Sequence, residues 1–122
     1  MDLNSSTSSL NSKIPRSIWV WTFGSAATFF LCSSLRHALF QSASFDLGIF
    51  DQAVYLISQN LSPISTFIGF HILGDHAAVI FYPIAILYKI YPDVHWLFAI
   101  QALVLASGIP LVWQLAIQSG LS

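Results

Sequence analysis

Residues 18–35 read IWVWTFGSAATFFLCSSL, eighteen positions without a charged side chain. As an α-helix this run is about 27 Å long, close to the hydrocarbon thickness of a bilayer. Few folds other than a membrane helix can absorb it. The remaining sequence agrees: of 122 residues, 56% are hydrophobic and only 7% charged, against about 25% charged in an ordinary soluble domain. Four basic and five acidic residues cannot cover the surface that a soluble domain of this length would expose. A net charge of -1 and the lack of any basic cluster exclude nucleic acid as a partner.

Lys13 and Arg16 precede the run as the basic segment of a signal peptide would. The run exceeds the usual core of about 7 to 15 residues, and no small-residue cleavage site follows, so it reads as a retained anchor. Residues 1–12, MDLNSSTSSLNS, hold too little apolar surface to offset the entropy of ordering and read as a disordered cytoplasmic tail. Residues 77–91, interrupted by Pro83 and carrying Lys89, are expected to form a second span. After the tight connection Tyr91, Pro92, Asp93, with Asp93 placed to cap the next helix, residues 94–117 predict a third span bent near Gly108 and Pro110. The lone Cys32 permits no intrachain disulfide.

The expected fold is therefore an all-α integral membrane protein with three transmembrane helices. Lys13, Arg16 and Lys89 then share one side against Arg36 alone, which orients the N-terminus to the cytoplasm. The loop 36–76 lies outside, and within it residues 46–60 predict an interfacial helix. Leu47, Phe50, Val54, Ile57 and Leu61 recur on one face of that helix, while Asp51, Gln52, Tyr55, Ser58 and Gln59 share the opposite arc.

Acid groups beside membrane-length apolar sequence are the candidates for chemistry. Asp46 opens the interfacial helix, where a carboxylate can cap free amides or act as a base toward a hydroxyl held at the water boundary. Asp51 falls on the polar arc as a solvated acid or a binding group. Arg36 can snorkel to lipid headgroups or hold the phosphate of a lipid-linked ligand. His71, Asp75 and His76 lack the spacing of a zinc motif, and no metal or cofactor is expected. Gln101 and Gln114, inside the third apolar run, suit hydrogen bonds to neighbouring helices.

The strings RHALFxSxxFDLGIFDQAVY (36–55), GDH (74–76) and YPIAILYKIYP (82–92) resemble an uncharacterised family of bacterial and cyanobacterial multi-pass membrane proteins, catalogued as a domain of unknown function. That family is itself similar to the GT-C glycosyltransferases, which use polyprenyl-phosphate sugars. The resemblance covers residues 18–118 and corresponds to the N-terminal portion of such an enzyme. It implies a catalytic role for Asp46, as base, and binding roles for Arg36, Asp51 and His76. The chain departs from the pattern in having no second acid beside Asp46 and no Pro-Pro after His76. Few helices are present to build both halves of a transferase site, so activity is expected only with further membrane helices from another chain or complex. The alternative is a small structural or accessory subunit of a larger membrane assembly.

Overall fold

A computed structural model describes residues 13–42, 44–75 and 78–120. The tail 1–12 and His76 lie outside the described residues. Among the described residues six helices follow one another: α1 (Arg16–Ala38), α2 (Ser44–Ser58), the single turn α3 (Ile72–Asp75), α4 (Phe81–Ile90), α5 (His95–Ala106) and α6 (Gly108–Gln118). No strand is present among the described residues; the only sheet-like pairing there is one antiparallel bridge between Ile64 and His71.

Two helices are long and apolar enough to cross a membrane, Arg16–Ala38 and His95–Gln118, the second being α5 and α6 taken together. Their large apolar side chains face outward: Val20, Trp21, Phe23, Leu31 and Leu35 on α1, and Leu103, Val104, Leu111, Val112 and Leu115 on α5 and α6 are all exposed. In water such a surface would drive association; in lipid it is the ordinary exterior of a spanning helix. The buried positions on these stretches are mostly small or compact, Thr22 and Ala26 on one and Ala102, Ala106 and Pro110 on the other, where Phe98 is the buried aromatic. The α5–α6 junction sits at Ser107, whose hydroxyl donates to the Val104 carbonyl at 2.6 Å. Three residues later Pro110 has no N–H to offer the carbonyl of Ala106.

The chain clusters into two units, one taking the described residues up to Leu31 together with those from Gln101, the other Cys32–Ile100. The second unit has the principal core. In it α2 and α4 pack along each other, burying Ile49, Ala53 and Val54 from α2 against Phe81, Ile84, Ala85 and Tyr88 from α4, with Ile72 between. The small Ala53 and Ala85 bring the two helices close, and Phe50 and Phe81 pack with their rings 5.3 Å apart.

The span expected over residues 77–91 corresponds to the shorter apolar helix α4. This helix has ten residues, about 15 Å at 1.5 Å per residue and half the depth of a bilayer core. Beyond its C-terminus, Tyr91 is extended before Pro92, which blocks continuation of the helix. Lys89 Nζ donates to Asn60 Oδ1 at 3.4 Å, which holds the end of α4 beside the end of α2. The rings of His37 and His95 lie 6.1 Å apart, which brings the end of α1 beside the start of α5.

Helix ends in this unit are set by backbone geometry. Asn60 has φ 59°, and the amides of Asn60 and Leu61 donate to the carbonyls of Ile57 and Leu56, both at 2.9 Å, the Schellman arrangement. Phe40 repeats it at the end of α1 with φ 55°: its amide donates to His37 O at 3.0 Å and that of Gln41 to Arg36 O at 2.8 Å. Asparagine tolerates this left-handed conformation, but phenylalanine does not favour it. At the start of α5, Asp93 Oδ1 accepts the amide of His95 at 2.8 Å and also meets the His95 ring. The backbone amide first, then the imidazole, hold the Asp93 carboxyl below the usual carboxylate range.

Because Phe40 is 96% exposed, its ring adds little burial to offset the backbone strain. Phe40→Gly is expected to raise unfolding free energy by about 0.5–1 kcal/mol, read as a higher melting temperature in detergent. An unchanged or lower melting temperature would show that the strain is not felt.

Candidate functional site

The residues of the FDLGIFDQ segment divide their tasks along two turns of α2. Phe45 meets the Phe67 ring edge-on at 5.9 Å. Asp46 stands exposed in the first turn of the helix, where a carboxylate interacts well with the helix dipole. Leu47 and Gly48 line a cavity, Ile49 enters the core and Phe50 packs on Phe81. Asp51 accepts a hydrogen bond of 2.6 Å from Tyr88 Oη. Gln52 clamps the following loop: its Oε1 accepts the Thr66 amide at 3.0 Å, and its Nε2 donates to Thr66 Oγ1 at 3.0 Å.

That loop is well tied. Ser65, fully buried, accepts the Gly69 amide through its carbonyl at 2.8 Å and donates its own amide to Phe70 O at 3.2 Å. Its hydroxyl also accepts the Phe67 amide at 3.2 Å. Gly69 takes φ 76° to close the turn. On the other side Gly48 lies close to the loop, where a Cβ would come a tight 3.3 Å from the Phe67 ring. The helix thus carries contacts on both arcs, and its polar residues reach protein partners rather than only water. Its buried face is Ile49, Ala53, Val54 and Ser58, turned from the face that its bulkiest apolar residues alone would select.

The cavity encloses about 360 Å³ beside the end of α1. Its polar wall is His37, Ser42 and Asp51, and its apolar wall Phe40, Leu47 and Val94. His37 Nδ1 lies 3.3 Å from Ser42 Oγ, and its ring packs against Phe98 at 5.5 Å. Tyr88 is 1% exposed, and a phenol so deeply placed must find an acceptor. The one it finds is the carboxylate over the cavity, at a distance typical of a charge-assisted bond.

The other sequence candidates are placed differently. Arg36 is exposed, and its Nη2 donates to Gln41 O at 3.2 Å, folding over the end of α1. His71 turns its Nδ1 to the Leu73 amide at 3.2 Å. Asp75 ends α3, its side chain outside the described residues, as is His76. No group of three potential metal ligands occurs among the described residues. Asp51, His37 and Ser42 are brought together; Asp46 is on the same helix but nearer its open end. Sequence reasoning missed Tyr88 because it sits in an apolar run. Its hydroxyl, 37 positions from Asp51, was the only signal, a polar atom that would need a partner once that run packed.

Residues 36–122 match a family described as a predicted membrane protein, DUF2079. The chain belongs to this family. The matched span takes in every wall of the cavity, the Asp51–Tyr88 pair and helices α2 to α6, and of α1 only the last turn. Membership agrees with the two spanning-length helices and with the outward apolar surface of α1, α5 and α6. No curated protein and no solved structure matches the chain.

Removing the phenol hydroxyl leaves Asp51 half-buried with one partner fewer. Tyr88→Phe is expected to cost about 1.5–3 kcal/mol, measured by denaturation in detergent, and Asp51→Ala a similar amount. The double variant should lose little more than either alone; additive losses would mean that the pair contributes nothing as a pair.

Proposed function

We propose that this chain supplies one wall of a membrane site that transfers a sugar from a polyprenyl-phosphate donor, in the manner of the GT-C glycosyltransferases it resembles. The observation that carries this reading is the cavity at the end of α1, roofed by α2, with a tethered carboxylate and an imidazole on an apolar floor. A lipid-linked reaction calls for such a pocket, where a polar head can be held while its tail stays in the bilayer. Asp46 acts as base toward the acceptor hydroxyl from the open end of α2, Asp51 binds substrate beside it, and Arg36 and His76 bind the donor phosphate. The exposed guanidinium of Arg36, with only one of its N–H groups on Gln41, suits that task. No metal or cofactor is invoked.

In this reading residues 39–94 face the outer side and the N-terminus is cytoplasmic. Both long helices cross, and further helices come from another chain or complex. The exposed amide of Gln101 on an otherwise apolar helix supports such neighbours, since an amide in lipid looks for a partner. The same observation supports a second reading, an accessory subunit held in a larger assembly with no chemistry of its own.

Asp46→Asn in membranes containing the complete assembly is expected to abolish sugar transfer while leaving insertion and abundance unchanged. Full activity in that variant would sink the transferase reading. Recovery of the chain in a stoichiometric complex whose activity ignores both Asp46 and Asp51 would establish the accessory role. Cysteines introduced at Asn60 and Lys89 should label from the same side of the membrane; labelling from opposite sides would restore a span between them.

A further inference from the structure

We infer that the cavity between the end of α1 and α2 is the acceptor subsite, taking a neutral, hydroxyl-rich head group and excluding the phosphate of the donor. The inference deepens the transferase reading and rests on it for the word acceptor, but the binding selectivity stands on the cavity's own chemistry.

Charge decides first. Asp51 is the one acidic residue among the described lining residues, and no Lys or Arg is among them. Arg36, the nearest cation in sequence, is folded onto Gln41 O and is not part of the wall. A phosphate in this space would meet a carboxylate in a partly dehydrated setting with no fixed cation to offset the repulsion. A sugar hydroxyl meets the opposite situation, because it can donate to the carboxylate as a charge-assisted hydrogen bond.

Geometry supports the same ligand. Tyr88 Oη occupies Asp51 Oδ1 at 2.6 Å, which fixes the carboxylate's rotation and leaves Oδ2 without a hydrogen bond among the described residues. That oxygen can accept from a hydroxyl. Ser42 Oγ and the His37 ring, 3.3 Å apart, add a donor and an acceptor a few ångströms along the wall, the mixed pattern that vicinal hydroxyls match. Phe40, Leu47 and Val94 give the apolar floor on which the C–H face of a sugar ring packs. The Phe40 ring is held out by its left-handed backbone rather than by neighbours. The volume, about 360 Å³, lies at the small end for ligand pockets, suiting one head group rather than an extended chain.

The test uses the full chain in phosphatidylcholine nanodiscs, titrated with octyl β-glucoside, methyl β-glucoside and dodecyl phosphate. Amide NMR signals of Ser42 and Gly48 report the cavity, and that of Leu103 on α5 reports partition into lipid. Saturable shifts at Ser42 and Gly48 are expected with a glucoside and not with dodecyl phosphate. Response to octyl β-glucoside alone marks a lipid-borne acceptor, and an equal response to methyl β-glucoside a free one. Asp51→Asn should weaken binding about tenfold or more, as loss of a charge-assisted bond implies, and Tyr88→Phe about threefold through the freed carboxylate. If Asp51→Asn alters signals across the whole spectrum, Ser42→Ala serves in its place with a smaller loss of affinity. Saturable binding of dodecyl phosphate at Ser42 and Gly48, glucoside shifts that merely follow Leu103, or binding indifferent to these variants would overturn the inference. Glucoside binding without sugar transfer in the complete assembly overturns the transferase reading alone; transfer without binding here overturns the subsite alone.

Discussion

The contact between α2 and α4 organises the half of the chain that holds the candidate site. Two alanines, Ala53 and Ala85, let the helices approach; Ile49, Val54, Phe81 and Ile84 fill the seam around them. At its edge one polar bond, Tyr88 to Asp51, meets the needs of both groups, a phenol with no water to bond and a carboxylate that would otherwise rotate freely. Removing α4 from this seam would expose the core of α2, release Asp51 and separate Lys89 from Asn60. The setting of Asp51 and the contact between the ends of α2 and α4 thus depend on a single pairing between short helices.

Electrostatics then divides the labour among few charges. Asp93 spends its carboxylate on the first amide of α5 and on His95, Arg36 bends onto the end of α1, and Lys89 reaches Asn60. Asp46 remains exposed on the first turn of α2, and Asp51 is the acid over the cavity. In a chain with so little charge, the position of each ionised group carries more information than the composition does.

The all-α class and the two long apolar stretches were readable from runs of uncharged residues, and Asp93 as a cap from its place after Pro92. The helix of α2 was readable from its period, and its buried face in part: Val54 is buried, with Phe50 and Ile57 packed against the core, but Ile49, Ala53 and Ser58 were not foreseen. Periodicity weighted by bulk selects Leu47, Phe50, Val54, Ile57 and Leu61, whereas close packing also selects Ala53 and tolerates Ser58, which a hydropathy pattern discounts. The shortness of α4 was hidden for a related reason: an apolar run measures what water rejects, not where the backbone stops being helical. Tyr88 as partner of Asp51 is a long-range contact, and no local pattern announces it. Asp46 could be singled out from its setting because a helix start is a local event.

The brevity of α4 bears on how the chain enters the membrane. A segment emerging from the ribosome is retained as a span when it is long and apolar enough to prefer lipid, and ten residues interrupted at Pro83 fall short of that length. The stretches that meet that requirement by length and composition are Arg16–Ala38 and His95–Gln118. Lengthened by two or three turns, α4 would reach the length of a stop in its own right, and a helix drawn across the bilayer could not keep both its seam with α2 and the contact of Lys89 with Asn60.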